Sequence, residues 1–297
     1  MSRAEGETVS LALGSGGARG LAHIGIIEWL TAHGYRIQSI SGASMGALVG
    51  GIHAAGELDA YKHWVCALRR MDVLRFLDVA FSGDGLLKGD RIMDTLREMV
   101  GERAIEDLPI SFTAVATDID RQREVWIANG PLFDAVRASI SVPGLFTPHD
   151  YQGMRLLDGG LLNPVPIAPT FRDFTDLTIA VNLNAEAPRE PAQRAVPESE
   201  PPEPPAESGY QARIRQFLDT VSANLSGGSA QKLGVFELTI RSFETMQNAI
   251  AATKLGAYRP DVLIEVPRDT CAAHEFHRAR ELIDLGYQLA ESAMGSR

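Results

Sequence analysis

Gly42-Ala43-Ser44-Met45-Gly46 is a G-x-S-x-G pentapeptide placed between a strand-like run, Arg36–Ser41, and a small-residue stretch, Ala47–Ala55, that reads as a helix closed by Gly56. In a nucleophile elbow the serine sits on a sharp, strained turn with its hydroxyl presented outward. Gly42 and Gly46 fit that turn, because strand and helix there approach too closely for larger residues. The chemistry would be attack by the Ser44 hydroxyl on an acyl carbon. The plain alternative is a tight turn around a buried serine.

Two further segments carry groups such a reaction needs. Gly14-Ser15-Gly16-Gly17-Ala18-Arg19-Gly20 follows an apolar run, Val9–Leu13, and precedes a helical stretch, Leu21–Leu30. A glycine-rich turn at a helix start aims backbone N–H groups outward at the positive end of the helix dipole. It can hold a phosphate or a developing oxyanion, or be an ordinary strand–helix turn. The dinucleotide fingerprint G-x-G-x-x-G fails, since Arg19 stands where its third glycine belongs; the phosphate-loop pattern fails because Leu21 follows Gly20. Later, Asp158-Gly159-Gly160 ends the run Leu156-Leu157. By itself this is either a turn aspartate or a carboxylate offered to a cleft.

The glycine-rich loop, then G-x-S-x-G, then D-G-G, in this order, resemble the patatin-like phospholipase family across most of residues 8–185. Ala138–Phe146 is similar to the segment these proteins carry before their aspartate. One departure is Ser15, where the family's loop usually has glycine; Gly16 and Gly17 remain. The resemblance implies a three-layer α/β/α fold with a mostly parallel central sheet. It implies hydrolysis of lipid acyl esters by a Ser–Asp dyad, with Ser44 as nucleophile and Asp158 as general base. Backbone N–H groups of Gly16, Gly17 and Ala18 would form the oxyanion hole. Arg19, Gly42, Gly46 and Gly159 would support the site. For Arg19 three roles stay open: orienting the loop, meeting a lipid phosphate, or pairing with a carboxylate at the surface.

The resemblance implies no cofactor, and no Cys/His pattern suggests a metal. A Ser-His-Asp esterase is the rival chemistry, because His274 and His277 follow Asp158 as the hydrolase triad order requires. Both lie in Cys271–Arg280, which reads as the start of a C-terminal helix where histidines are usually solvated. His23, inside an apolar helix, reads as a satisfied core residue. Other readings are an acyltransferase on the same dyad and a non-catalytic lipid-binding regulator. Intact Ser44 and Asp158 speak against the last.

The elements that must position these groups follow from the hydrophobic pattern. Strand-like runs occur at Val9–Leu13, Ile37–Ser41, Phe112–Ala116, Arg123–Ile127, Leu177–Asn182 and Val262–Val266. Helical stretches at Tyr61–Arg70, Arg91–Met99 and Asp134–Ser139 fall between them, the alternation of a mostly parallel sheet covered by helices. Asp120-Arg121-Gln122 marks a hairpin. Both the glycine loop and the elbow follow strand C-terminal ends, where open α/β sheets place their sites.

The 297 residues, 45% of them hydrophobic, suffice for one large α/β domain. Residues 186–209 are rich in Pro and Glu and read as a disordered linker. Residues 210–297 read as a helical C-terminal part whose last strand completes the same domain. Tyr210–Leu225 carries an apolar stripe, read as a packed helix or an interfacial lid; Gly234–Ala252 reads as a core or homodimer helix. The net charge of −10 argues against nucleic acid as a partner. Two cysteines suit a reducing compartment, and the polar N-terminus lacks a signal-peptide pattern. The expectation is a cytoplasmic protein that meets a lipid substrate, in part at a membrane surface.

Overall fold

The computed structural model describes residues 6–69, 89–186 and 228–295. The linker at 186–209 and the stripe at Tyr210–Leu225 lie outside these residues, apart from Glu186. Two compact units are distinguished, Met1–Ala187 with Phe243–Arg297, and Pro188–Ser242. Of the second, only part of one helix falls among the described residues.

The first unit is built on a sheet of strands β1 (Thr8–Leu13), β2 (Arg36–Ala43), β3 (Ser111–Asp118), β4 (Arg123–Ile127), β5 (His149–Tyr151), β6 (Met154–Asp158), β7 (Leu177–Ala185) and β8 (Val262–Pro267). Their order is β5-β6-β3-β2-β1-β7-β8, with β4 also on β3. Strands β3, β2, β1, β7 and β8 run parallel. Strands β4, β5 and β6 are antiparallel to their neighbours. All six strand-like runs of the sequence are strands here. The hairpin β5–β6 is additional. Its turn, Gln152-Gly153, has both residues at positive φ, the conformation of a two-residue hairpin whose twist suits the flanking strands.

The described α-helices are α1 (Ala22–Ala32), α2 (Met45–Ala54), α3 (Leu58–Ala67), α4 (Asp90–Val100), α5 (Leu132–Ser139), α6 (Gly228–Ala257) and α7 (Ala279–Met294). The sheet is covered on both faces, in three layers. Leu11 and Leu13 of β1, with Ile179 and Val181 of β7, point into the larger core against α1, α2, α5 and α7. Ala12 and Ala180, alternating with them, point the other way. There Val165, Ile167 and Ala251 of α6 close a smaller core. This is the period-2 alternation of strands, with alanines admitting close cover on one side.

Cys271–Arg280 differs from its reading as a helix start. Residues 271–275 carry no helix, Phe276–Arg278 form a single 3-10 turn, and α7 begins at Ala279. The carboxylate of Glu275 accepts the Ala272 N–H at 2.9 Å and pairs with Arg278, fixing a turn instead of a helical first turn.

Candidate active site

Register places the two principal groups. Ala43, the last residue of β2, lies opposite Val115 of β3, and Asp158, the last of β6, lies opposite Ala116. Strand β3 runs between β2 and β6, so Ser44 and Asp158 emerge on either side of it at one level, from strands of opposite direction.

Ser44 has φ 55° and ψ −121°, a conformation L-residues rarely adopt. Such strain costs about 1–3 kcal/mol and persists only where the surroundings over-determine it. They do so here. The Ser44 N–H donates to Ser139 Oγ at 2.9 Å, and that hydroxyl donates to Val115 O at 2.6 Å. Its carbonyl accepts from Ala47 and Leu48 as α2 begins. Gly46 is required by close approach: a Cβ there would lie 2.0 Å from Leu13 O. Gly42 faces the Gly46 carbonyl across the elbow, 2.3 Å from where its own Cβ would be.

Asp158 is 1% exposed and Ser44 6%. Asp158 Oδ1 accepts the Gly160 N–H at 2.7 Å, an Asp capping the 3-10 turn Gly159–Leu161. Oδ2 is buried and meets no hydrogen-bond partner among the described residues. Burial pushes the carboxyl up from 3.8 to about 7; the nearby Ser44 hydroxyl and the Gly160 N–H act in the opposite direction. Ser44 is therefore close enough to favour the charged form, yet short of a full bond to Oδ2. Catalytic hydrogen bonds are often long before substrate arrives. Gly159 lies against β3, its absent Cβ 2.0 Å from Val115 O.

The glycine-rich loop packs beside both. Gly17 has φ 56° and opens the 3-10 turn Gly17–Leu21. Ala18 N–H is already engaged, donating to Ala273 O at 2.8 Å. Of the three N–H groups expected as donors, those of Gly16 and Gly17 are the ones without an acceptor among the described residues. The first N–H groups of a helix have no partner within it, so both stay available at its positive end.

Arg19 does not face a lipid phosphate. It is 3% exposed, and its guanidinium donates to Leu183 O, Arg268 O, Cys271 O, Asn184 Oδ1 and Glu244 Oε1, at 2.7–3.2 Å. It clasps the loop to β7, to the segment after β8 and to α6. His23 is buried and its Nε2 meets Gly14 O at 2.9 Å, holding the loop's first residue. Burial lowers its pKa to about 4, with the Gly14 bond opposing, so the ring is neutral. Its Nδ1 has no partner among the described residues, which departs from the expectation of a satisfied core histidine.

His274 and His277 are exposed. Neither is hydrogen-bonded to Ser44 or Asp158 among the described residues. A triad would need an imidazole on the aspartate, and Asp158 Oδ2 meets none. No group of three His, Cys, Asp or Glu among the described residues could hold a metal. No described helix is long and apolar enough to cross a membrane.

Residues 11–171 match the family described as patatin-like phospholipase. The chain belongs to the patatin-like phospholipase family. An uncharacterized NTE family protein of Mycobacterium tuberculosis (strain ATCC 25618 / H37Rv) is 42% identical, over 96% of this chain and 91% of that one. Lysophospholipase nte1 of Emericella nidulans is 31% identical, over 70% of this chain but 15% of its own length. Among solved structures, VipD from Legionella pneumophila aligns over 97% of this chain and 67% of its own, with TM-score 0.43 and 14% identity. As a patatin-like phospholipase, the chain is a lipid acyl hydrolase.

Serine 139, His23, Asn184, Glu244 and Gln247 also belong to the patatin-like site's surroundings, and sequence reasoning gave them no role there. Ser139 fell inside a segment already tied to the family. The others carry no local signal, because their partners lie between 9 and 232 positions away.

Proposed function

We propose that this chain is a serine acyl hydrolase that cleaves acyl esters of phospholipids or lysophospholipids through Ser44 and Asp158, by way of an acyl-serine. The observation that carries this is the strained, tethered Ser44 emerging at the same level of the sheet as a buried carboxylate with one oxygen unpartnered.

Asp158 Oδ2 takes the Ser44 Oγ proton as Oγ attacks the acyl carbon. A base with a pKa near the working pH is best matched to that transfer, and burial brings Asp158 to about 7. The oxygen that gains charge is received by the N–H groups of Gly16 and Gly17. The leaving alcohol takes the proton back from Asp158, which frees the acyl-serine. Water then loses a proton to Asp158 and attacks the acyl-serine, and fatty acid leaves as Asp158 returns that proton to Ser44 Oγ. Arg19 and His23 hold the loop and touch no reacting atom. Support for the substrate class comes from the family and from relatives named lysophospholipase. Such substrates place the enzyme at lipid surfaces.

The test is a fluorophosphonate probe with mass spectrometry, alongside Ser44→Ala and Asp158→Asn on short esters, lysophospholipid and diacyl phospholipid. Labelling at Ser44, with activity abolished in both variants, is expected. Full esterase activity in Ser44→Ala would end the assignment.

A further inference from the structure

We infer that Gln247 of α6 is a positioning residue for this hydrolysis, acting through Ser15 and Gly160 on the two groups the reaction uses. The inference rests on the roles proposed above for Ser44, Asp158, Gly16 and Gly17.

Gln247 is 4% exposed, and its Nε2 donates to Ser15 Oγ at 3.1 Å. The same amide packs on Gly160. A Cβ on Gly160 would lie 2.2 Å from Gln247 Nε2, 2.6 Å from Ser15 Oγ and 2.9 Å from Asp158 Oδ1. Three polar groups from three distant segments thus converge on a point that only a glycine leaves open. Gly160 is also the residue whose N–H holds Asp158 Oδ1. Displacing the amide of Gln247 therefore acts on the aspartate's own cap.

The other arm runs through the loop. Ser15 is fixed at three atoms: its N–H donates to Pro164 O at 2.9 Å, its carbonyl accepts from Asn184 Nδ2 at 3.1 Å, and its hydroxyl accepts from Gln247. On the far side Ala18 is fixed by Ala273. Gly16 and Gly17 hang between these anchors, so their N–H directions follow from where the anchors sit. One turn earlier on α6, Glu244 meets Arg19 at 3.1 Å. Residues three apart share a helix face, so one face of α6 grips the loop at Ser15 and again at Arg19.

Ser15 and Gln247 form a coupled pair. A glycine at position 15 leaves the buried Gln247 amide without its acceptor. Elsewhere on α6, Glu244 pairs with Arg19 of the loop, and Lys254 pairs with Glu124 of β4. A carboxyl placed at 247 would lie beside Asp158 across Gly160.

The experiment compares wild type, Ser15→Gly, Gln247→Leu, the double variant and Gln247→Glu. Rates on a short nitrophenyl ester are normalised to Ser44 sites titrated by fluorophosphonate. Losing orientation of oxyanion donors lowers kcat more than it changes KM, so each single variant should lose about tenfold in kcat with KM within about twofold. The double variant should lose no more than the worse single, since coupled residues are not additive. Gln247→Glu puts a like charge beside Asp158, so the acid limb of kcat/KM should move up by about one pH unit. Normal kcat per titrated site in Ser15→Gly, additive losses, or an unmoved acid limb in Gln247→Glu would reduce Gln247 to helix packing. Should Gln247→Leu fail to fold, Ser15→Gly and Gln247→Glu still decide. A wild-type protein unlabelled at Ser44 overturns the underlying reading and this one with it. A labelled wild type with insensitive variants overturns this one alone.

Discussion

The hydroxyl of Ser139 accepts the backbone N–H of Ser44 at 2.9 Å while donating to Val115 O at 2.6 Å. One side chain from the end of α5 thus bridges the elbow to the central strand β3. Ser44 could not stay at φ 55° without opposing forces, and this bridge is one of them. Replacing Ser139 by Ala leaves a buried N–H and a buried carbonyl each short of a partner. The expected loss is about 2 kcal/mol of stability, with kcat reduced because the elbow relaxes. Urea denaturation and steady-state kinetics of Ser139→Ala check both.

Strain at Ser44 also separates two substitutions that both remove the hydroxyl. Ser44→Ala keeps a side chain at a positive φ and should leave stability near wild type. Ser44→Gly relieves the strain and should be more stable than Ser44→Ala by about 1 kcal/mol. Neither should hydrolyse ester. Equal melting temperatures for the two would show that the backbone holds no such strain.

With Asp158 as the proposed base, its titration should set the acid limb of activity. As a general base it must be ionised, so kcat/KM should fall as pH drops through about 7. Its effect on stability has the opposite direction. The folded pKa lies above the unfolded value of 3.8, so the folded state holds the proton more tightly. That contribution is fully present below about pH 4 and is lost as pH rises through about 7, a swing of about 4 kcal/mol. Asp158→Asn does not titrate and should therefore gain on wild type as pH rises from 5 to 8. Thermal melts of both proteins across that range measure the crossing.

His23 titrates in the other sense. Its folded pKa of about 4 lies below the ordinary 6.5 because burial penalises the cation. The stability due to its neutral state is present above pH 6.5 and is lost as pH falls toward 4, by about 3 kcal/mol. A glutamine can also donate to Gly14 O and carries no titration. The stability gap between wild type and His23→Gln should narrow as pH falls from 7 to 4, read from denaturation at each pH.

Gly159→Ala tests how tightly the aspartate's turn is seated. The added methyl would begin 2.0 Å from Val115 O, a backbone atom in the central sheet that cannot swing aside. The turn must move, and Asp158 with it. Overpacking of this kind costs about 1–3 kcal/mol, and kcat should fall by more than tenfold because misplacement of about 1 Å weakens catalysis about 10²-fold. Circular dichroism and kcat of Gly159→Ala supply the comparison.

Much of the frame is legible in local pattern. Alternating apolar runs give β1, β2, β3, β4, β7 and β8, and glycines at fixed offsets give the elbow at Ser44 and the loop at Gly16 and Gly17. The hairpin β5–β6 escapes because its strands are three and five residues long and its turn is Gln-Gly, outside the commonest pairs. The loop at 271–275 escapes because a helical composition is overridden by Glu275 bonding back to the Ala272 N–H.

What the sequence determined alone is therefore the order of the motifs, the residue types able to do acyl chemistry, and the strands whose ends present them. These are short-range properties, set by side-chain period and by the glycines a sharp turn demands. Tertiary structure decided which N–H groups stay open, that Arg19 is enclosed by five acceptors, that burial carries Asp158 to about 7, and that Gln247 reaches Ser15. Those outcomes depend on partners up to 255 positions away, brought together by strand register and by the packing of α6. Desolvation and hydrogen-bond competition act between neighbours in space, and chain order does not specify that neighbourhood.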